Sequence, residues 1–175
     1  MAALQAAHAE IVARAVADPE LTGMGTTLVG VVAHGSAGWL VNVGDSRAYR
    51  WEGGYLAQAS VDDSLDQEGM AHFVTQSLGG GVDVPPPRPH MRALELQPGD
   101  LYLLCSDGLT DYASLDAMED CFAGTDDDNA VQSLFEAALA GGGGDNVSIL
   151  LLRIVEAPEP ADTQATEPGQ TGGAT

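Results

Sequence analysis

Apolar residues recur at helical spacing from the start of the chain: Leu4, Ala7, Ile11, Val12 and Ala15 fall on one face of residues 2–17, and Asp18-Pro19 ends the run. This pattern predicts one amphipathic helix. Beyond it the period shortens. Residues 26–33, 39–43, 47–51 and 55–59 are β-prone runs separated by glycine-bearing turns, at His34-Gly35-Ser36-Ala37-Gly38, Gly44-Asp45-Ser46 and Glu52-Gly53-Gly54. Short strands joined by such turns predict an antiparallel meander. Residues 61–84 give a weaker signal, with a short helix expected around 64–70 and a glycine run at Gly79-Gly80-Gly81. The triplet Pro85-Pro86-Pro87 then forces an extended connection.

Residues 91–96 alternate as a strand does, Gln97-Pro98-Gly99-Asp100 is turn chemistry, and 101–105 is an unbroken apolar run of strand length, so the three together predict a hairpin. Helices follow over 115–122 and 129–140. In the second, Val131, Leu134, Phe135, Ala138 and Leu139 trace one face, and the acids at 126–128 complement its N-terminal dipole. Glycines 141–144 end that helix and 147–152 reads as the last strand. From Glu156 onward Pro, Glu, Thr, Gly and Gln dominate without apolar periodicity. The expected organisation is therefore one folded domain over 1–156 and a disordered tail over 157–175, with no internal repeats.

A chain of 175 residues that is 45% hydrophobic buries one core. Six basic residues against 26 acidic ones give a net charge of −20, and every basic residue is an arginine. That balance disfavours a nucleic-acid backbone as partner, since counterion release needs clustered cations. No run approaches the ~18 apolar residues of a membrane span. The Ala-rich start lacks a basic first region and is interrupted by His8, Glu10 and Arg14, unlike a signal peptide, so a cytoplasmic location is the expectation. Cys105 and Cys121 form no disulfide framework and have no zinc spacing, which leaves them as small hydrophobes. His8, His34, His72 and His90 include no pair at metal-ligand spacing and read as surface or packing residues. Ser64 and Ser106 have no recognisable His/Asp constellation, so nucleophilic serine chemistry has little support.

The candidate chemistry lies in carboxylates. Ser106-Asp107-Gly108-Leu109 and Gly144-Asp145-Asn146-Val147-Ser148 each put one aspartate where an apolar strand meets a turn, and rigidly held carboxylates at a sheet end suit a hard divalent cation. Together with Gly25-Thr26-Thr27, Gly44-Asp45-Ser46-Arg47 and Pro98-Gly99-Asp100, they occur in an order that resembles the metal-dependent protein phosphatase family, the PP2C-like (PPM) serine/threonine phosphatases. The resemblance implies an α+β fold, an α-β-β-α sandwich of two antiparallel sheets flanked by helices. It also implies metal-dependent hydrolysis of phosphoserine and phosphothreonine by an activated water, with Mn²⁺ or Mg²⁺ as cofactor. By the same resemblance the complete site holds two ions, of which Asp107 and Asp145 would ligate one, and Asp45 with Asp107 would hold a weaker third. The substrate would be a phosphoprotein made by a serine/threonine kinase. Arg47 is expected to form an ion pair inside the sandwich.

Two departures shape that expectation. The family's Asp-Gly-x-Gly-Gly segment, which supplies the bridging carboxylate, does not occur, so the chain looks like a member lacking its first strands and is expected to be nearly inactive alone. At Val61-Asp62-Asp63-Ser64 the family usually carries Asp-His-Ser or Asp-His-Thr. The alternative reading is a noncatalytic phosphatase-like module that binds a partner.

Overall fold

The computed structural model describes residues 1–65, 74–81 and 83–156. His72, most of the helix expected around 64–70 and the tail at 157–175 lie outside the described residues. Helix α1 spans Ala2–Ala17, ends where Asp18 N–H bonds the Arg14 carbonyl, and gives way to a 3-10 turn at Pro19–Leu21. Alanine favours helix without contributing much apolar area. The helix accordingly buries a single residue, His8, whose Nδ1 accepts the N–H of Gly79 at 3.1 Å. Gly79 belongs to β6 (Leu78–Gly79), which pairs with β1 (Gly25–Thr26), so α1 is docked on a two-stranded ribbon.

The main strands form two antiparallel sheets. One holds β2 (Leu28–His34), β3 (Ala37–Val43) and β7 (His90–Glu95) in the order β2-β3-β7. The other holds β4 (Arg47–Glu52), β5 (Tyr55–Gln58), β8 (Leu101–Cys105) and β9 (Ile149–Arg153) in the order β5-β4-β8-β9. This arrangement corrects two expectations. The first four runs are not one meander, because β3 pairs with β2 and β7 whereas β4 pairs with β5 and β8. The run at 91–96 and the run at 101–105 are not a hairpin either, because they lie in different sheets. Both tight turns, at 44–46 and 97–100, carry the chain from one sheet to the other. Residue pattern cannot separate a hairpin turn from such a corner, since both join strands that alternate in the same way.

Burial follows from the layers. Leu40, Ala48, Leu96, Tyr102 and Leu104 fill the space between the sheets. Tyr49, Leu56, Leu103, Cys105 and Leu109 pack on the far side of the four-stranded sheet against Ala113, Met118, Leu134 and Ala138. The helical layer there consists of α2 (Asp107–Thr110), α3 (Leu115–Asp120) and α4 (Asp127–Ala140). Ser114 caps α3 by accepting from Ala117 N–H at 3.3 Å, and Asp126 caps α4 by accepting from Asn129 N–H at 2.9 Å. All five residues of β8 are buried, as the unbroken apolar run anticipates for a strand covered on both faces.

Asp100 fastens one of the sheet-crossing corners. Its carboxylate accepts Gln97 N–H at 3.0 Å and Arg50 Nη2 at 2.9 Å, tying the corner to β4. Burial alone would raise its pKa, but these two donors hold it below the ordinary value. A carboxyl lowered in the folded state contributes stability that is complete above its unfolded pKa and is lost as pH falls through the folded one. Asp100→Asn is therefore expected to cost about 1 kcal/mol near neutrality, the exposed Arg50 being partly screened. It should also flatten the acid limb of a melting-temperature profile measured below pH 5.

Candidate metal centre

The corner between β3 and β4 presents Asp45. Gly44 takes φ +96°, and a Cβ there would run into the side chain of Thr27, so glycine is needed for both conformation and space. Thr27 Oγ1 lies 2.8 Å from Ser46 Oγ, and the buried Asn42 Nδ2 donates to the Ser46 carbonyl at 3.0 Å. Beyond the turn, Arg47 Nε and Nη2 both reach Asp62 Oδ2 at 2.7 Å, so the expected ion pair forms, but it is partly exposed and stands beside Tyr49 on the helix-facing side of the four-stranded sheet rather than inside the sandwich.

Asp107 opens α2 directly after β8. The buried Gly108 and Leu109 pull this first turn against the helical layer, and Asp107 Oδ1 accepts Gly108 N–H at 2.8 Å. A Cβ on Gly108 would overlap the Asn146 carbonyl, so only glycine lets the two segments meet. Ser106 completes the junction: its N–H donates to the Ser148 carbonyl at 3.1 Å, its hydroxyl to the Asn146 carbonyl at 3.3 Å, and its Oγ accepts Ser148 N–H at 3.0 Å. Asp145, whose Oδ1 accepts Asn146 N–H at 2.7 Å, is thereby placed on the segment adjoining Asp107, past the same end of the four-stranded sheet.

Asp45 joins them because β4 and β8 are paired, with Arg47 opposite Cys105, so the residues just beyond that pair leave the sheet together. Burial, followed by the like charge of Asp107, pushes the Asp45 carboxyl above its ordinary pKa, and Asp62 and Asp111 add to the effect. Neither Asp62, noted only within the departure at 61–64, nor Asp111 was among the expected site residues. Asp111 could have been, since it stands four residues after Asp107, the spacing that shares a helical face. Asp62 carries no local signal of this kind. The donors are hard oxygens, as a Mg²⁺ or Mn²⁺ site requires. Among the described residues, however, no three His, Cys, Asp or Glu side chains come close enough to hold an ion by themselves.

The family model described as Protein phosphatase 2C matches residues 1–139. The serine/threonine protein phosphatase PstP of Mycobacterium tuberculosis is 32% identical over 166 residues, which take in 89% of this chain and 32% of that protein. The serine/threonine phosphatase Stp of Listeria monocytogenes is 32% identical over 167 residues, 85% of this chain and 64% of that protein. The chain thus spans about a third of the first relative and somewhat less than two thirds of the second. A crystal structure of the Mycobacterium tuberculosis phosphatase superposes with a TM-score of 0.80 at 31% identity, covering 89% of this chain and 71% of that one. A PstP catalytic domain solved in complex with 2 manganese ions gives 0.74 at 33% identity, covering 85% and 67%.

Two substitutions test the geometry. Asp45→Asn removes a repelled charge, so it should raise the melting temperature of the metal-free chain while shrinking the rise produced by added Mn²⁺. Gly108→Ala should cost about 1–3 kcal/mol in denaturant unfolding because the methyl group meets backbone that has no room to yield.

Proposed function

The chain belongs to the protein phosphatase 2C family, and on that premise we propose that it carries metal-holding residues of a serine/threonine protein phosphatase acting on phosphoproteins in the cytoplasm. The observation that supports this most is the convergence of Asp45 and Asp107 at one end of the paired strands β4 and β8, with Asp145 on the segment bonded beside Asp107. In this reading Asp107 and Asp145 hold one Mn²⁺ or Mg²⁺, and Asp45 with Asp107 holds a weaker one. A divalent ion bound there supplies Lewis acidity toward phosphoryl oxygens and acidifies water for in-line attack on phosphorus. The chain's own contribution is orientation: Gly108 and Ser106 fix Asp107 against the 146–148 segment, and Asp62 engages the Arg47 guanidinium in an ion pair. No helix of the described residues is long and apolar enough to cross a membrane. The kinase that makes the substrate is of the serine/threonine class.

One observation favours a second reading, a noncatalytic module of the same fold: the described residues alone do not assemble three ligands. Loss of a single electrostatic group commonly costs ~10²–10³ in rate, so the chain by itself is expected to turn over slowly at best. A phosphopeptide assay with and without Mn²⁺ separates the readings. Slow hydrolysis that requires Mn²⁺ and is lost in Asp107→Asn supports the phosphatase reading, and robust turnover with the same sensitivity would show that these residues suffice. Absence of both Mn²⁺ binding and hydrolysis would favour the module.

A further inference from the structure

Behind the Asp45 corner stands a second aspartate whose environment is unlike that of any other acid described. Asp63 is 6% exposed, and every polar atom of the residue is engaged. Its N–H donates to the Gly44 carbonyl at 2.9 Å, and its Oδ2 accepts Gly44 N–H, also at 2.9 Å, so one residue grips both polar groups of the glycine that precedes Asp45. Its carbonyl accepts Thr75 N–H at 2.7 Å. Its Oδ1 accepts Gln76 Nε2 at 2.7 Å and lies 2.8 Å from His90 Nε2, and an ionised carboxylate requires that ring nitrogen to carry the proton. Gln76 is fixed from its other side, because its Oε1 accepts Arg88 N–H at 2.8 Å.

These contacts form one connected path. It runs from the 76–88 connection through the Gln76 amide and the Asp63 carboxylate to the Gly44 peptide, one residue from Asp45. Neighbouring Asp62 braces the far side of the same corner through Arg47, so the tandem acids hold both flanks of the turn. Three donors on one buried carboxylate outweigh its burial and keep its pKa below the ordinary value. A group so placed is costly to bury unless all its partners stay in position. The Gly44–Asp45 peptide therefore responds to what happens at Gln76 and His90.

We propose that Asp63 is a positioning residue that sets the orientation of Asp45 toward a bound cation and couples that orientation to the segment carrying Gln76. The metal-binding half of this inference rests on the phosphatase reading above. The coupling half rests on the hydrogen bonds alone.

The experiment uses the whole chain, the two single variants Asp63→Ala and Gln76→Leu, and the double variant Asp63→Asn with Gln76→Glu, which restores the bond with donor and acceptor exchanged and lets residue 76 keep Arg88 N–H; Asp63→Asn alone is the reference for the double variant. Amide exchange at Gly44, followed by NMR without metal, should speed up about tenfold or more in Asp63→Ala, and measurably in Gln76→Leu although residue 76 does not touch Gly44. The double variant should stay near the wild type. Mn²⁺ affinity by calorimetry should fall about 10–100-fold in Asp63→Ala, the range typical when the support of a ligand is removed, and recover in the double variant. Unchanged Gly44 exchange in both single variants, or a double variant no better than Asp63→Asn alone, would overturn the proposal. Should Asp63→Ala not fold, the comparison of Asp63→Asn with the double variant decides it. A wild type that takes up no Mn²⁺ sinks the metal reading, and Gly44 exchange still decides the coupling.

Discussion

The crossing of the chain from one sheet to the other within residues 44–46 is the constraint on which the candidate centre depends. Three residues leave β3, turn, and enter β4 in the facing sheet, which is possible only because Gly44 takes a left-handed conformation and makes room for Thr27. A longer or looser corner would carry Asp45 away from the end of β8. With the short one, pairing of β4 to β8 brings Asp45 and Asp107 out of the sheet side by side, and the Ser106 junction adds the segment that bears Asp145. The site is thus a consequence of strand register and corner length.

Such an arrangement works against the folded state unless something offsets it. A chain of net charge −20 gathers Asp45, Asp62, Asp107 and Asp111 at one corner, and burial first, then the neighbouring acids, hold Asp45 above its ordinary pKa. Two kinds of group relieve the strain from within: Arg47 neutralises Asp62, and backbone N–H groups of Gly108 and Asn146 take one oxygen each of Asp107 and Asp145. What remains is a set of carboxylate oxygens at one corner, and hard oxygens are the donors that small divalent cations take. The manganese-bound PstP domain shares this fold at 33% identity.

Elements governed by local pattern were legible in the residues. Helix α1 runs over the predicted residues and stops at Asp18-Pro19, β8 is the buried strand its unbroken apolar run announces, and α4 begins at its acidic cap. The aspartates at 45, 107 and 145 stood out because the five short motifs that include them occur in the order seen in the resembled family. Asp63 showed only as part of the departure from the family pattern at 61–64, because its role rests on partners that arrive from Gln76, His90 and Gly44.

Sequence by itself determined the main helices and strands, the positions of the turns and the kind of ligand atom available, since helical period, glycine conformation and carboxylate chemistry are properties of a few neighbouring residues. Only the tertiary structure decided that the turns at 44–46 and 97–100 switch sheets rather than close hairpins, and that four distant acids share one end of the sandwich. Strand partnership is settled by how whole sheets bury their faces against each other, an energy summed over residues far apart in the chain and absent from any one segment of it.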